Sequence, residues 1–146
     1  MKYEKVRLFT RVAAATAVAL ICVANPTAVQ AQSSELKADI PFDFYIGGRS
    51  FPAGTYTVRL TAGSAIQVQG QSGNNSMIAM SLPISNDDRI PDSRLVFNQY
   101  GNDHFLTEVR WRGYNLGRGL IKSSRELELA KNSVETRRTV AASKAP

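Results

Sequence analysis

Four side chains in the C-terminal third of the chain could bind a ligand through charge and aromatic stacking. They are Arg110, Arg112, Tyr114 and Arg118, and the only tryptophan of the chain, Trp111, lies among them. A guanidinium group forms paired hydrogen bonds with anionic groups and stacks on aromatic rings. This pattern is typical of a site for an anionic or saccharide ligand.

The same residues also fit a purely structural interpretation. Arg110 and Arg112 would then be outward-facing strand residues, in contact with water and ion-paired with Glu108 or Asp103, while Trp111 is part of the core. Exposed ion pairs of this kind are common and contribute little to stability. The sequence favours this interpretation, so the four residues are candidates for ligand binding and nothing more.

Catalysis by a nucleophile or by a bound metal has little support in the sequence. His104 is the only histidine and Cys22 the only cysteine, so neither a Cys/His pair nor the usual set of zinc ligands can be assembled within one chain. We expect His104 to lie in a turn. No serine stands in the G-x-S-x-G context of a hydrolase nucleophile. We therefore predict no catalytic residue, no metal site and no cofactor.

Acidic side chains are present, but their spacing does not indicate a site. The acidic stretch at residues 86–93 lacks the spacing and the glycine of a calcium-binding loop. Asp43, Asp103 and Glu108 could supply the two carboxylates of a glycoside hydrolase. Strand alternation directs Asp43 to solvent, however, and Glu108 has arginines beside it that would pair with it.

The first 31 residues are predicted to be a secretory signal peptide. Four basic residues precede an apolar, uncharged stretch at residues 12–24, and small residues at Val29 and Ala31 mark a cleavage site after Ala31. A retained membrane anchor is the alternative. The apolar run of about 13 residues is shorter than the roughly 20 that a spanning helix needs, which favours cleavage.

Cleavage would remove most of the excess positive charge. The full chain carries 18 Lys+Arg and 12 Asp+Glu, a formal net charge of +6, and the loss of four basic groups and Glu4 lowers it to +3. This charge is weak support for an anionic partner and no argument for nucleic acid. We expect a periplasmic or extracellular protein that does not span the membrane after cleavage. Its expected partner is an anionic polysaccharide or another envelope component, and its oligomeric state stays open.

Alternation of apolar and polar residues predicts strands along most of the chain. The longest alternating stretch covers residues 36–46, and the Gly47-Gly48 turn after it places Phe44 opposite Phe51. Further strands are predicted at residues 55–61, 65–69 and 77–84. The fold class is mainly β, a small antiparallel barrel or sandwich of about six to eight strands with one short C-terminal helix, in a single domain at residues 32–132.

Two features of these strands bear on assembly. In the strand at residues 77–84, one face carries only apolar side chains, which are Ile78, Met80, Leu82 and Ile84. Pro41 and Pro83 cannot donate a backbone hydrogen bond, so each indicates a strand edge. Such edges are where strands of separate molecules can pair.

Residues 95–112 are predicted to form a β-hairpin around the turn-forming residues 101–104. A four-residue loop there would place on one face Val96, Tyr100, Phe105, Val109 and Trp111. A five-residue loop that begins at Tyr100 would replace the first two by Leu95 and Phe97, because a shift of one residue exchanges the faces of a strand. The second arrangement buries more apolar surface and is favoured.

After the hairpin, residues 113–119 are predicted to be a glycine-rich loop, followed by a short strand at Leu120-Ile121. Ser123 and Glu126 have the spacing of a helix capping box. This spacing predicts a helix of about nine residues, which is too short to be stable alone.

That helix is therefore expected to dock on the sheet, through Leu127 and Ala130, and to end at Asn132. The remaining residues, 133–146, are polar and basic, and we predict that they form a disordered tail.

Several stretches resemble a known family when they are taken together. They are residues 40–44 (IPFDF), 51–58 (FPAGTYTV), 95–97 (LVF) with Tyr100-Gly101, Phe105-Leu106 with Val109 and Trp111, and Ser123-Ser124 with Glu126, Leu129 and Ala130. In these residues the chain resembles a family of short exported proteins from environmental Gram-negative bacteria. The resemblance covers most of the chain after residue 31. It implies a small exported β-domain and transfers no catalytic residue.

The sequence favours a non-enzymatic binding or scaffolding module of the cell envelope or extracellular space. A small extracellular hydrolase acting on polymer is one alternative, and a self-assembling surface protein is another. Clustered carboxylates in a pocket would favour the hydrolase. A face of arginines and aromatic rings would favour the binding module, and an open strand edge or exposed apolar patch would favour assembly.

Overall fold

The computed structural model describes residues 35–61, 63–85 and 91–145. These residues form ten strands and one helix, which are β1 (Glu35–Ile40), β2 (Phe44–Ile46), β3 (Arg49–Phe51), β4 (Gly54–Leu60), β5 (Ala65–Gly70), β6 (Ser76–Ser85), β7 (Arg94–Tyr100), β8 (Asp103–Arg110), β9 (Leu116–Leu120), α1 (Ser124–Asn132) and β10 (Glu135–Lys144). The predicted signal peptide and residues 86–90 lie outside the described residues.

Eight of the described strands close into an antiparallel barrel. Their order is β8-β7-β10-β1-β4-β5-β6-β9, and β9 pairs back onto β8. The β2–β3 hairpin lies outside this ring, where Tyr45 pairs in parallel with Phe105 at the start of β8. The prediction of a mainly β fold with one short C-terminal helix is confirmed. Of the two architectures that the sequence allowed, the barrel is correct.

The barrel interior is filled by the inward-facing residues of successive strands. Phe97 of β7 is fully buried there, among aliphatic side chains from β1, β4, β5, β7 and β8, and Phe44 and Phe51 of the β2–β3 hairpin pack into the same core. Phe44 pairs with Phe51 across the Gly47-Gly48 turn, with ring centroids 5.4 Å apart, so the predicted register of this hairpin is confirmed. Burial of each such side chain contributes roughly 1.5–3 kcal/mol.

The alternating stretch at residues 36–46 is two strands rather than one. Pro41 lies between β1 and β2, where no ladder hydrogen bond is required of it. Phe42 packs edge-on against Phe97, at 5.2 Å between ring centroids, and helps to close this end of the barrel. Pro83 also fits the edge prediction locally, because β6 pairs there with β9 and not with β5.

Both predicted loop lengths of the central hairpin are wrong. Tyr100 pairs with Asp103, so the turn consists of Gly101, with a φ of 61°, and Asn102. His104 is therefore a strand residue and not a turn residue.

The favoured grouping of that hairpin is only partly correct, because the register shifts at Val96/Phe97. Thr107 is the extra residue, and its hydroxyl donates to the carbonyl of Val96 at 3.0 Å. Phe97 consequently faces inward with Leu106, whereas Phe105 pairs with Asn98 on the outer face.

The prediction of a disordered tail is wrong for residues 135–144. They form β10, which pairs with β7 along seven residues and with β1 at its end, and so closes the barrel. Its side chains are mostly exposed, and only Val140 and Ala142 pack against the core. Backbone hydrogen bonds to two neighbours, together with polar side-chain contacts of Glu135, Arg137 and Arg138, hold this strand in place in the absence of a hydrophobic face.

The region before the helix also differs from the prediction. Residues 116–120 form β9, which pairs with β6 and β8, rather than a loop followed by a strand at Leu120-Ile121. The helix and its capping residue are as predicted, since the Ser123 hydroxyl accepts a hydrogen bond from the backbone N–H of Glu126 at 3.2 Å.

The predicted docking residues of the helix are wrong, because Leu127 and Ala130 are exposed. Glu126 is the buried helix residue instead. Within the described residues, no helix is both long and apolar enough to cross a membrane.

Candidate functional site

The two ends of the barrel differ in how they are closed. We call the end where β1 begins, β8 ends and β10 ends the Trp111 end. A cleft of about 670 Å³ opens there. It is lined by the start of β1, the residues after β8, the end of β10 and the segment before β7, namely Glu35, Leu36, Asp92, Ser93, Trp111, Arg112, Gly113, Tyr114, Ala142, Ser143 and Lys144.

Two aromatic residues of different exposure contribute to this cleft. Trp111 is 4% exposed and belongs to the barrel core, so one part of its ring system forms the cleft wall. Tyr114 is 45% exposed, and its backbone N–H donates to the carbonyl of Trp111 at 3.4 Å, which fixes the turn that carries both. The cleft therefore has a rigid aromatic wall and a more exposed aromatic ring beside it.

Arg112 supplies a cation at the edge of the cleft. Its backbone N–H donates to the Ser93 hydroxyl at 2.9 Å, which holds the main chain in place. Its side chain is 73% exposed and lies 4.0 Å from the carboxylate of Asp92, which is itself well exposed. An exposed pair at this distance contributes little energy, so the guanidinium can turn toward an anionic ligand at small cost.

Arg118 lies at the same end but in a separate hollow of about 290 Å³. This hollow is lined by Leu60, Trp111, Tyr114, Asn115, Leu116 and Arg118. Arg118 is held in β9, opposite Pro83 of β6 and Val109 of β8. Trp111 and Tyr114 separate the hollow from the larger cleft, so both face the same aromatic pair.

Arg110 is not part of this site. Its Nε donates to Oε2 of Glu108 at 2.8 Å, and its Nη1 donates to the carbonyl of Ser85 at 3.3 Å. Glu108 also forms an ion pair with Arg137 of β10. The predicted ion pair of Arg110 with Glu108 is therefore confirmed, although the Arg110 side chain is only 15% exposed and not solvated. The cleft contains Arg112 and Tyr114.

Several cleft residues could not be recognised in the sequence. Lys144, Ser143 and Ala142 belong to the segment predicted to be disordered, and they reach the cleft because Lys144 pairs with Leu36. The spacing of Val140 and Ala142, two positions apart between Thr139 and Ser143, was the weak signal available for this strand.

A second group of polar side chains lies on the outer face of β7, beneath α1. Glu126 is only 3% exposed and accepts a hydrogen bond from Nδ2 of Asn98 at 3.3 Å. Burial raises the pKa of Glu126, although the Asn98 hydrogen bond and the charge of Lys122 oppose this effect. Among the described residues, Oδ1 of Asn98 is buried and accepts no hydrogen bond. A protonated Glu126 could donate to it.

Next to this pair, three side chains form a closed hydrogen-bonded triangle. The Tyr100 hydroxyl donates to Glu135 at 2.8 Å, and Lys122 lies 3.2 Å from both. The Tyr100 hydrogen bond lowers the pKa of Glu135, and burial raises that of Tyr100. Burial lowers the pKa of Lys122, but its two hydrogen bonds outweigh this effect and raise it. These groups support one another and join β7, the segment between β9 and α1, and β10.

At the barrel end opposite the Trp111 end, His104 lies in a closed stack. Its ring stacks on the ring of Phe42, with 4.1 Å between the two centroids. The guanidinium of Arg138 also contacts the Phe42 ring and lies 5.0 Å from its centroid. Burial and the charge of Arg138 lower the pKa of His104. A neutral histidine in such a stack closes the barrel end.

The acidic residues considered for hydrolysis do not come together. Asp43 accepts the backbone N–H of Ala53 at 2.8 Å, and Asp103 pairs with Arg125 at 3.3 Å. Glu108 pairs with two arginines. In the part of the chain that the structure describes, no group of three or more His, Cys, Asp or Glu residues could hold a metal ion.

Comparison of the chain with protein-family models, curated proteins and solved structures found no match. The function must therefore be inferred from the geometry of the barrel and its cleft.

Proposed function

We propose that the protein is an exported, non-enzymatic binding module that holds an anionic saccharide in the cleft at the Trp111 end. The observation that supports this proposal is the meeting of Trp111, Tyr114 and Arg112 in one open cleft. Aromatic rings stack on the apolar faces of sugar rings, and a guanidinium binds carboxylate or phosphate groups. Export is inferred from the predicted signal peptide at residues 1–31.

The size and polarity of the cleft fit one or two sugar units. A volume of about 670 Å³ lies within the range of small-molecule sites. Lys144 adds a second cation at the end of β10, and the hydroxyls of Ser93 and Ser143 supply hydrogen-bonding groups to orient a polar ligand.

A hydrolase is less well supported by the same cleft. Glu35 and Asp92 line it, but the Asp92 side chain is largely exposed and close to Arg112. A catalytic acid is usually shielded from water, and the exposed side chain of Asp92 is not. Release of new reducing ends from a polysaccharide by the purified protein would favour the hydrolase instead.

Trp111 provides a direct test, because it is the only tryptophan of the chain. Its fluorescence should change in a saturable way when the protein is titrated with peptidoglycan fragments or charged envelope oligosaccharides. Arg112→Ala and Tyr114→Ala should each weaken binding by about tenfold, or roughly 1.4 kcal/mol.

Export is tested separately. Mass spectrometry of the protein recovered outside the cytoplasm should give a chain that begins at Gln32.

The matched control is Arg110→Ala, which removes a neighbouring arginine that lies outside the cleft. It should bind as tightly as the wild type, because Glu108 keeps its partner Arg137. If no fragment changes the fluorescence, or if Arg110→Ala and Arg112→Ala weaken binding equally, the cleft is not the saccharide site.

A further inference from the structure

Arg94, the first residue of β7, is a partly buried cation whose side chain lacks a partner. Its Nε is fully buried and, within the part of the chain that the structure describes, has no hydrogen-bond acceptor. Its guanidinium group forms no ion pair with any of the described carboxylates. A buried donor that has lost water and gained no acceptor costs free energy.

Other partly buried arginines of the barrel strands do have polar partners. Nη2 of Arg59 donates to Oε1 of Gln69 at 3.1 Å. Nε of Arg110 donates to Oε2 of Glu108 at 2.8 Å. Compared with these two, Arg94 has a need for an acceptor that the described residues leave unmet.

The residue directly opposite Arg94 on β8 is another arginine, Arg110. The two pair in register on the same face of the sheet as Glu108. Side chains in such a pair have Cβ atoms roughly 4.5–5.5 Å apart, and like charges there repel each other. Glu108 is already shared by Arg110 and Arg137, and the residue opposite Arg94 on β10 is the uncharged Ala141. Arg94 therefore lies beside a cation without an anion of its own.

This position is separate from the cleft at the Trp111 end. Neither Arg94 nor Arg110 lines that cleft. Asp92, two residues before Arg94, lies against Arg112 at 4.0 Å instead. The inference that follows is therefore independent of the saccharide proposal.

We propose that Arg94 and Arg110, which we call the arginine pair, bind a tetrahedral oxyanion, a phosphate or sulfate group. Arg94 supplies hydrogen-bond donors that are otherwise unmatched, and Arg110 adds positive charge beside it. A phosphate or sulfate group has several acceptor oxygens and can carry two charges, so it can serve two guanidinium groups at once. A carboxylate has one charge and matches a single guanidinium fork.

The test compares thermal unfolding in sodium phosphate and in sodium chloride of equal ionic strength, followed by circular dichroism. Phosphate at about 20 mM should raise the unfolding temperature of the wild type by about 5 °C, because a ligand of the folded chain stabilises it. Arg94→Gln should lose most of this shift. Isothermal titration calorimetry should show a dissociation constant for phosphate about tenfold higher in the variant.

The matched control is Arg59→Gln, which removes a partly buried strand arginine that lies opposite Glu35 and Gln67 rather than opposite a cation. It should keep the full phosphate shift. If Arg94→Gln does not fold, Arg94→Lys replaces it, because this variant keeps the charge but loses the planar fork and should bind phosphate more weakly than the wild type.

Inorganic sulfate and glycerol phosphate distinguish the possible sources of the anion. Binding of the two inorganic ions alone would assign the arginine pair to a free ion, and equally tight binding of glycerol phosphate would assign it to a phosphate ester. A wild type that none of the three stabilises beyond chloride would overturn the proposal. An equal phosphate shift in the wild type and Arg94→Gln would overturn it as well.

Discussion

The outside of this barrel has two apolar regions, one covered by other segments of the chain and one exposed. On β7 and β8, the outer residues Tyr100 and Phe105 are buried, covered by Tyr45 of β2 and by the segment that carries α1. On β6, the side chains of Ile78, Met80 and Leu82, which we call the β6 strip, are left exposed. The difference indicates that the covered face contributes to this chain's own stability, whereas the β6 strip contributes little to it.

The chemistry of the two regions supports this distinction. The covered face mixes aromatic rings with polar groups, and Asn98 and Glu126 meet there by a specific hydrogen bond. Hydrogen bonds of this kind fix one position of α1, because a buried polar group needs its own partner. The side chains of the β6 strip have no polar groups, so no comparable hydrogen bond fixes them.

The largest difference between the two faces should appear when an apolar side chain is truncated on each. Phe105→Ala should lower the free energy of unfolding by about 3–4 kcal/mol, because it leaves a cavity under Tyr45 and Tyr100. Met80→Ala should change it by less than about 0.5 kcal/mol in the single chain. Urea denaturation of each variant beside the wild type measures both. Equal losses would show that the β6 strip supports the fold as much as the covered face does.

A smaller effect is expected from the cap of the covering helix. Ser123→Ala removes the hydroxyl that accepts the Glu126 N–H and should cost about 1 kcal/mol. Hydrogen exchange in Ser124–Asn132 should become faster, while exchange in β6 stays the same. Ser124→Ala is the control, because its side chain follows the capping position and should have little effect. Slower exchange in the helix of Ser123→Ala would contradict the capping role.

The smallest predicted effect concerns the buried carboxyl. The pKa of Glu126 is higher in the folded chain than its ordinary value of 4.5, so the protonated form stabilises the fold. This stabilisation is complete below pH 4.5, and it is lost as the pH rises through the pKa of the folded chain. Glu126→Gln does not ionise, and a glutamine amide can donate to Oδ1 of Asn98. The variant should therefore be more stable than the wild type at neutral pH, by at most about 1 kcal/mol.

That stability difference should shrink as pH falls toward 4.5 and below, because Glu126 in the wild type is then protonated. Thermal denaturation at several pH values measures it. Glu135 has a lowered pKa and loses its stabilising effect as pH falls, but it is present in both proteins and largely cancels in the comparison. A variant that is less stable than the wild type at neutral pH would mean that the ionised carboxylate is favoured in this position.

Sequence periodicity predicted the parts of the fold in which local pattern and tertiary packing agree. Phe44 and Phe51 could be paired because Gly47-Gly48 allows only a short turn between them. Ser123 and Glu126 identified the helix start because capping depends on neighbours in sequence. The inward faces of β4 and β5 followed from strict alternation, as in Tyr56 and Val58.

Other parts could not be predicted because they depend on a single inserted residue or on distant pairing. Phe105 and Val109 have the spacing of two residues on one face of a regular strand. The bulge at Thr107 places them on opposite faces. Residues 135–144 have few apolar side chains, so their sequence does not predict that they form the strand between β1 and β7.

The residues of the candidate site could likewise be predicted only where they are close together in sequence. Arg112 and Tyr114 are close to Trp111 in sequence and also in space. Lys144 joins them only because the last strand pairs with the first, at Leu36. Glu126 was recognised as a capping residue, but its burial beside Asn98 depends on where α1 lies on the barrel.

The position of β10 has a consequence for how the protein is made. The barrel closes only when Leu36 in its first strand meets Lys144 at the end of its last, so no closed barrel can form before β10 has left the ribosome. Joining segments so far apart in sequence is slow, because the entropy of a long loop is lost before the contacts form. The barrel should therefore close late, after β10 has joined β7 and β1.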